Sequence, residues 1–223
     1  MRFEEVVERL ATFPDPLPAP AAVLMPVIVG ADGPEGRPPG RTARPSADGW
    51  PPAGSPGRPA GVLVLLYPDH AGFARVVLTE RAARDGHHSG EVSFPGGMVE
   101  PDDADIVATA LREAAEEVAL DAAAAGVRVV GLLERFPIPV SDFQVTPVVA
   151  VAARRPILAA SEAEVARILE PRVAHFLPDA PIAILERTIE EWPLRYGTYL
   201  VDGLSVWGAT ARILSQLGAL LAR

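Results

Sequence analysis

Hydrophobic residues in this chain come in short runs whose spacing alternates between helical and strand-like. Phe3, Val6, Val7 and Leu10 recur at helical intervals and predict a short helix over residues 2–12, broken by Pro14, Pro16, Pro18 and Pro20. The apolar run AAVLMPVIV, from Ala21 to Val29, reads as a strand. From Gly30 to Gly61 half of the residues are Gly or Pro and aliphatics are few, the composition of a solvated, disordered insertion. GVLVLLYP and ARVVLTER then predict two strands joined at DHAGF as a hairpin. After a loop, ARDGHHSGEVS, an Ala- and Leu-rich helical pattern runs to about Val118, with Asp103 or Asp105 placed to cap its start. VRVVGLLERF and QVTPVVAVAA are strand-like, and EAEVARILEPRVAHFL is mixed, with a helical opening half. Gly197 to Leu204 reads as a strand and Val206 to Ala222 as a helix with Ile213, Leu214, Leu217, Leu220 and Leu221 on one side. Strands, helix, strands and helix in that order predict an α/β or α+β fold with a mixed sheet.

Composition narrows the functional classes. The 223 residues are 49% hydrophobic with a formal net charge of −9, enough apolar material for one well-packed domain. A pI near 5.0 argues against nucleic-acid binding, which needs clustered Lys and Arg. Cysteine is absent, which removes disulfides, thiolate catalysis and Cys-type zinc sites. The acidic start MRFEEVVERLA is unlike a signal peptide, and no apolar run is long enough for a bilayer, so the expected setting is cytoplasmic, away from membranes.

One stretch is chemically unusual: FPGGMVEPDDADIVATALREAAEEVAL, Phe94 to Leu120. On a helix, Glu113, Glu116 and Glu117 stand at i,i+3 and i,i+4, so three like charges share a face and repel. Grouped carboxylate oxygens suit a hard cation, Mg²⁺ or Mn²⁺. Arg112, four residues before Glu116, is placed to orient a carboxylate, and Gly96 and Gly97 let backbone come close to the metal or ligand. Alone, REAAEE also describes an ordinary exposed helix face; its combination with the Pro-Gly-Gly turn and the acidic linker favours the cation.

That combination resembles the signature of the Nudix hydrolases, G-x5-E-x7-R-E-U-x-E-E-x-G-U, where U is a bulky apolar residue. Here Gly97, Asp103, Arg112, Glu113, Glu116 and Glu117 take its main positions. Asp103 replaces Glu, one extra residue precedes Arg112, and Ala114 and Ala119 replace an apolar residue and a Gly. Upstream, Val77-Leu78-Thr79-Glu80-Arg81-Ala82, then Gly90 and Phe94-Pro95-Gly96-Gly97, resemble the second signature of the coenzyme A pyrophosphatase branch. VTPVVAV and WGATARIL are also similar to that branch, and Gly86 stands where the branch has Arg. The resemblance spans about Ala60 to the C-terminus, so the chain divides into residues 1–29, the insertion 30–61 and a Nudix domain over 62–223.

The resemblance implies an α/β/α sandwich with a mixed β-sheet. The implied activity is metal-dependent hydrolysis of a small-molecule diphosphate, most specifically coenzyme A or its derivatives to 3′,5′-ADP and 4′-phosphopantetheine. It assigns Glu113, Glu116 and Glu117 to the metal and Arg112 to the catalytic group, with Glu164 a candidate base. Arg81, Arg84 and His88, with Gly96 and Gly97, become candidate substrate contacts, while His87 reads as exposed and Trp207 as a core aromatic. The competing readings are another diphosphate substrate, such as ADP-ribose, and a non-catalytic nucleotide-binding module.

Overall fold

The long apolar run after residue 60 explains the architecture. In the computed structural model, residues 1–28, 57–82, 91–138, 142–189 and 192–223 are described. Helix α1 is Phe3–Arg9, and a 3₁₀ turn at Ala22–Leu24 leads into β1, Val27–Ile28. Strands β2 (Arg58–Pro68), β3 (Ala74–Val76), β4 (Leu78–Arg81), β5 (Val92–Ser93) and β6 (Gly96–Met98) precede helices α2 (Ile106–Val118) and α3 (Ala122–Ala125). Then come β7 (Val127–Leu132), β8 (Phe136–Ile138), β9 (Phe143–Ala152) and β10 (Val165–Leu169). A 3₁₀ turn at Val173–Phe176, β11 (Ala183–Ile189), β12 (Trp192–Val201), β13 (Leu204–Val206) and α4 (Gly208–Leu221) complete the chain. Among the described residues no helix is long and apolar enough to cross a membrane.

Strands β2 and β9 pair in parallel from Arg58↔Phe143 to Leu66↔Val151 and form the centre of a mixed sheet ordered β3-β2-β9-β7. β6 pairs with the first half of β2 and β8 with the first half of β9. Covered on both faces, β2 needs apolar residues at successive positions, which is why its sequence lacks polar alternation. Leu63, Leu65 and Tyr67, with Val148 and Ala150, pack against Ala110, Ala114 and Val118 of α2. Val64, Leu66, Val149 and Val151 face the opposite way, into a cluster with Leu214, Leu217, Leu220 and Leu221 of α4 and with Val6 and Leu10 of the α1 segment. This is the α/β/α sandwich with a mixed sheet.

Small side chains set how closely α2 approaches. A Cβ on Gly61 would lie 2.8 Å from the Ile106 carbonyl oxygen, so only glycine lets β2 pass under the start of the helix. Ala114, at the position where the signature has a bulky residue, is fully buried against the same strand. The small residue serves closeness there, not loss of the core.

Several local expectations change. AAVLMPVIV is a 3₁₀ turn followed by a two-residue strand, since Pro26 has no N–H to offer a ladder. ARVVLTER is interrupted at Val77: Ala74–Val76 stays in the hairpin with β2, whereas Leu78–Arg81 joins a second sheet ordered β10-β4-β5. The opening of EAEVARIL is a turn leading into β10, not a helix, and its apolar residues are spent on pairing with β4. Gly197–Leu204 is two strands joined at Asp202-Gly203, both at positive φ, within a longer hairpin that includes β11. The segment 30–61 falls outside the described residues as far as residue 56, and residues 58–61 lie in β2.

Candidate active site

Helix α2 starts where its sequence says it should. Asp105 is the N-cap, its side chain accepting from the Val107 and Ala108 N–H groups at 2.9 and 2.8 Å. Asp103, the other capping candidate, turns to Arg112 instead. Its carboxylate accepts from Arg112 Nε and Nη2, both at 3.1 Å, from the Thr109 hydroxyl at 2.9 Å and from the Glu100 N–H at 2.8 Å. The two-pronged Arg112 contact, with the other donors, holds the Asp103 carboxyl well below the usual carboxylate range. Asp103 therefore ties the acidic linker to the middle of the helix.

Arg112 is fully committed. Its remaining N–H groups go to the Met98 carbonyl at 2.9 Å, to Glu113 Oε1 at 3.0 Å and to Glu116 Oε2 at 3.2 Å. All five guanidinium donors are thus spent within the protein. Glu113 is mostly covered, and burial pushes its carboxyl up against the pull of Arg112, with the charges of Glu116 and Glu164 adding to the rise. Glu116 lies at the rim, its side chain 59% exposed.

Glu117 points the other way along the turn, into the protein, and is only 5% exposed. One of its oxygens, Oε2, is buried without a hydrogen-bond partner, and the Gly96 N–H bonds the carboxyl. Burial raises its pKa to about 7, helped by Glu113 and Glu164 and opposed by Arg81 and the Gly96 N–H. The two glycines leave room for different things: a Cβ on Gly96 would come within 2.6 Å of the Val62 Cα backbone, and one on Gly97 within 2.7 Å of Glu113 Oε2, the movable end of that side chain.

The structure brings Glu164 and Arg81 to this face through the second sheet. The Ser161 N–H donates to the Glu117 carbonyl at 2.9 Å, and Val165 N–H to the Ser161 carbonyl at 2.8 Å. Val165 pairs with Arg81, and Ala82 N–H donates to the Glu164 carbonyl at 2.9 Å. β10 thereby delivers Glu164 beside Glu113 and Glu117, and β4 delivers Arg81. Arg84, His87 and His88 lie outside the described residues. Trp207 is half-buried, not a core residue; it stacks on Tyr196 with ring centroids 4.8 Å apart and caps no helix N–H with its side chain. Thr210, one turn on, is a residue that sequence pattern did not single out: its hydroxyl donates at 2.9 Å to the Val92 carbonyl, fastening α4 to the strand that enters the Pro-Gly-Gly turn. A groove of about 560 Å³ lined by Pro59, Val99, Ile106, Leu132 and Leu133 opens beyond the Asp103 loop, and neither Glu113 nor Glu117 lies in its wall.

Among the described residues, no three acidic or histidine groups already stand close enough to hold an ion. The donor set nevertheless fits a hard divalent cation. Glu117 Oε2 is an anionic oxygen with no donor to satisfy it, in a place where an unpaired charge is costly. Glu113 is the neighbour with which it would share the ion, and Glu164 stands beside the pair.

A carboxylate-bearing helix is laid over a mixed sheet, with its acids under a glycine turn. The NUDIX domain profile matches residues 57–177, and the chain belongs to the Nudix family, hydrolases that act on diphosphate bonds and generally use divalent metal ions such as Mg²⁺ or Mn²⁺. It is 40% identical over 148 residues to NudL of Citrobacter koseri, an uncharacterised Nudix hydrolase, an alignment covering 64% of this chain and 72% of that protein. NudL of Salmonella newport aligns with the same identity and coverage. Among solved structures, the Nudix hydrolase RenU of M. smegmatis shares 23% identity over 53% of this chain and 72% of its own, with a TM-score of 0.40.

Proposed function

We propose that this Nudix hydrolase cleaves the diphosphate of coenzyme A or its derivatives, with Mg²⁺ or Mn²⁺, to give 3′,5′-ADP and 4′-phosphopantetheine. The observation that carries the metal-dependent part is the partnerless Glu117 oxygen beside Glu113 and Glu164, under the Gly96-Gly97 turn. Support for the substrate comes from the chain itself: Val77 to Ala82 and Gly90 to Gly97 keep the spacing of the coenzyme A branch, and they flank the strands that meet the carboxylates.

In this reading Glu117 and Glu113 are the principal holders of the ion, with Glu116 completing the set from the rim. A divalent ion held there neutralises phosphate oxygens and lowers the pKa of water. Arg112 binds no substrate; it sets the direction of Glu113 and Glu116 and locks the loop through Asp103. Glu164 takes the proton of the attacking water, since the second sheet brings it beside the ion-holding pair. Gly96 and Gly97 keep the backbone low enough for the diphosphate to reach the carboxylates.

The test is a product assay with purified protein, coenzyme A and Mg²⁺ or Mn²⁺, with ADP-ribose in parallel and Glu117→Gln as control. Release of 3′,5′-ADP and 4′-phosphopantetheine by wild type alone supports the proposal. Cleavage of ADP-ribose but not coenzyme A would refute the substrate and make Gly86, in place of the branch Arg, the natural place to look for the difference.

A further inference from the structure

A diphosphate brings more negative charge to a face that already carries Glu113, Glu116, Glu117 and Glu164, so some fixed cation besides the metal has to meet it. Arg112 is in the right place and is unavailable, because its five donors are used by Asp103, Met98, Glu113 and Glu116. Arg167 on β10 is held by Glu80 at 3.1 Å. Arg81 is different. It is the last residue of β4, with an exposed side chain, and among the described residues it closes no salt bridge.

Its backbone is fixed from both sides. The Arg81 N–H donates to the Glu91 carbonyl at 3.0 Å, Arg81 pairs with Val165, and the next residue, Ala82, donates to the Glu164 carbonyl. β5, paired with β4 through Thr79↔Ser93, leads directly into Phe94-Pro95-Gly96-Gly97. One strand end therefore presents a guanidinium to the side of the carboxylate cluster, on the sheet that also carries Glu164. Arg81 is near enough to Glu117 for its charge to favour that ionised carboxyl.

Resting on the reading above, we propose that Arg81 grips the diphosphate that is cut, and does not read the 3′-phosphate of coenzyme A. The 3′-phosphate hangs from the opposite side of the ribose, away from the bond that the carboxylates address. An arginine at the strand end that pairs beside Glu164, next to the strand entering the Gly96-Gly97 turn, is placed at the scissile group. Its planar fork suits two phosphate oxygens at once, which lysine matches only as a point charge.

The experiment uses the full chain in three forms: wild type, Arg81→Lys and Arg81→Ala. Binding of adenosine 5′-(α,β-methylene)diphosphate, which has a diphosphate and no 3′-phosphate, is measured by calorimetry in the presence of Mg²⁺. Hydrolysis of coenzyme A and of 3′-dephospho-coenzyme A is followed in parallel. Arg81→Ala is expected to weaken the methylene analogue about 10- to 100-fold, the worth of a hydrogen bond between charged groups. Its kcat/KM should fall by the same factor on both coenzyme substrates, with Arg81→Lys in between. A loss confined to the substrate that bears the 3′-phosphate, with the methylene analogue bound as before, overturns the assignment. If wild type hydrolyses neither coenzyme, the coenzyme A reading fails, and the binding measurement still decides the role of Arg81.

Discussion

Changing Glu117 to Gln removes a charge from a position where, without metal, the fold holds that charge at a cost. The side chain is 5% exposed, and one oxygen has no donor. Its pKa is raised from 4.5 to about 7, chiefly by burial. The sign follows from the direction of the shift. A carboxyl whose folded pKa lies above its unfolded value takes up a proton on folding, so stability falls as pH rises from the unfolded to the folded pKa. Below 4.5 the group is neutral in both states and costs nothing; above about 7 the full penalty applies. The shift corresponds to about 3 kcal/mol at pH 8 and less than about 1 kcal/mol at pH 5.

Glutamine keeps the shape and the acceptor for the Gly96 N–H without the charge. Metal-free Glu117→Gln should therefore be more stable than wild type by about 3 kcal/mol at pH 8, or roughly 6–12 °C in Tm for a chain of this size. At pH 5 the advantage should nearly vanish. The assay is thermal and urea unfolding of both proteins in chelator at pH 5, 6, 7 and 8. Mg²⁺ at about a thousand times its Kd should then reverse the order at pH 8, because it stabilises only the protein that binds it, by about 4 kcal/mol. A stability difference that does not change between pH 5 and pH 8 in chelator would refute the reasoning, whatever its sign.

Other substitutions test the geometry. Gly97→Ala puts a methyl group into the Glu113 carboxylate; because a flexible side-chain end can move, the fold should survive while kcat falls about 100-fold, the usual cost of an ångström of misplacement, as measured by turnover alongside Tm. Gly218→Ala meets backbone instead, with the Phe176 carbonyl carbon 2.8 Å from the new Cβ, and should destabilise by about 3 kcal/mol or more in urea unfolding with little effect on kcat per folded molecule. Asp103→Asn releases Arg112, so activity should drop. Asp103 has its folded pKa depressed below 3.8, so its stabilising effect is present above that value and is lost as pH falls further; the stability gap between Asp103→Asn and wild type should be steady from pH 8 to 5 and close in stronger acid. Thr210→Val cuts the tie between α4 and Val92 and should lower Tm and raise KM together, which steady-state kinetics at two temperatures will show.

What could be read from the chain is mainly what is local. The helix Ile106–Val118, its Asp105 cap and the shared face of Glu113, Glu116 and Glu117 all follow from spacing within 20 residues, because helical geometry ties positions i, i+3 and i+4 together without outside help. The different fates of the three glutamates do not follow from spacing. Glu116 is half out in solvent and Glu117 is sealed, and what separates them is β6 and β10 closing over one side of the helix. The break at Val77 escaped for the same reason: ARVVLTER is one uninterrupted strand by pattern, and only the presence of two different partners, β2 and β10, divides it. Trp207 likewise has an apolar sequence context, yet its half-exposed stack on Tyr196 depends on a hairpin that the pattern shortened to a single strand.

The departure of Asp103 from the signature Glu is accounted for by the same loop. An Asp side chain is one methylene shorter, yet Asp103 still takes two N–H groups of Arg112 together with the Thr109 hydroxyl. It reaches them because it lies two residues before the cap, where the chain is not yet helical, and because Thr109 and Arg112 stand three apart on the helix side that looks back at the linker. The extra residue before Arg112 gives the loop length that the shorter side chain lacks. Substitution and insertion are thus one change, not two, and each alone should misplace the carboxylate. Asp103→Glu without removal of a residue is therefore expected to disturb Arg112, and through it Glu113, even though it restores the signature residue. A kcat for Asp103→Glu equal to that of wild type would show that the loop absorbs the added methylene and that the two changes are independent.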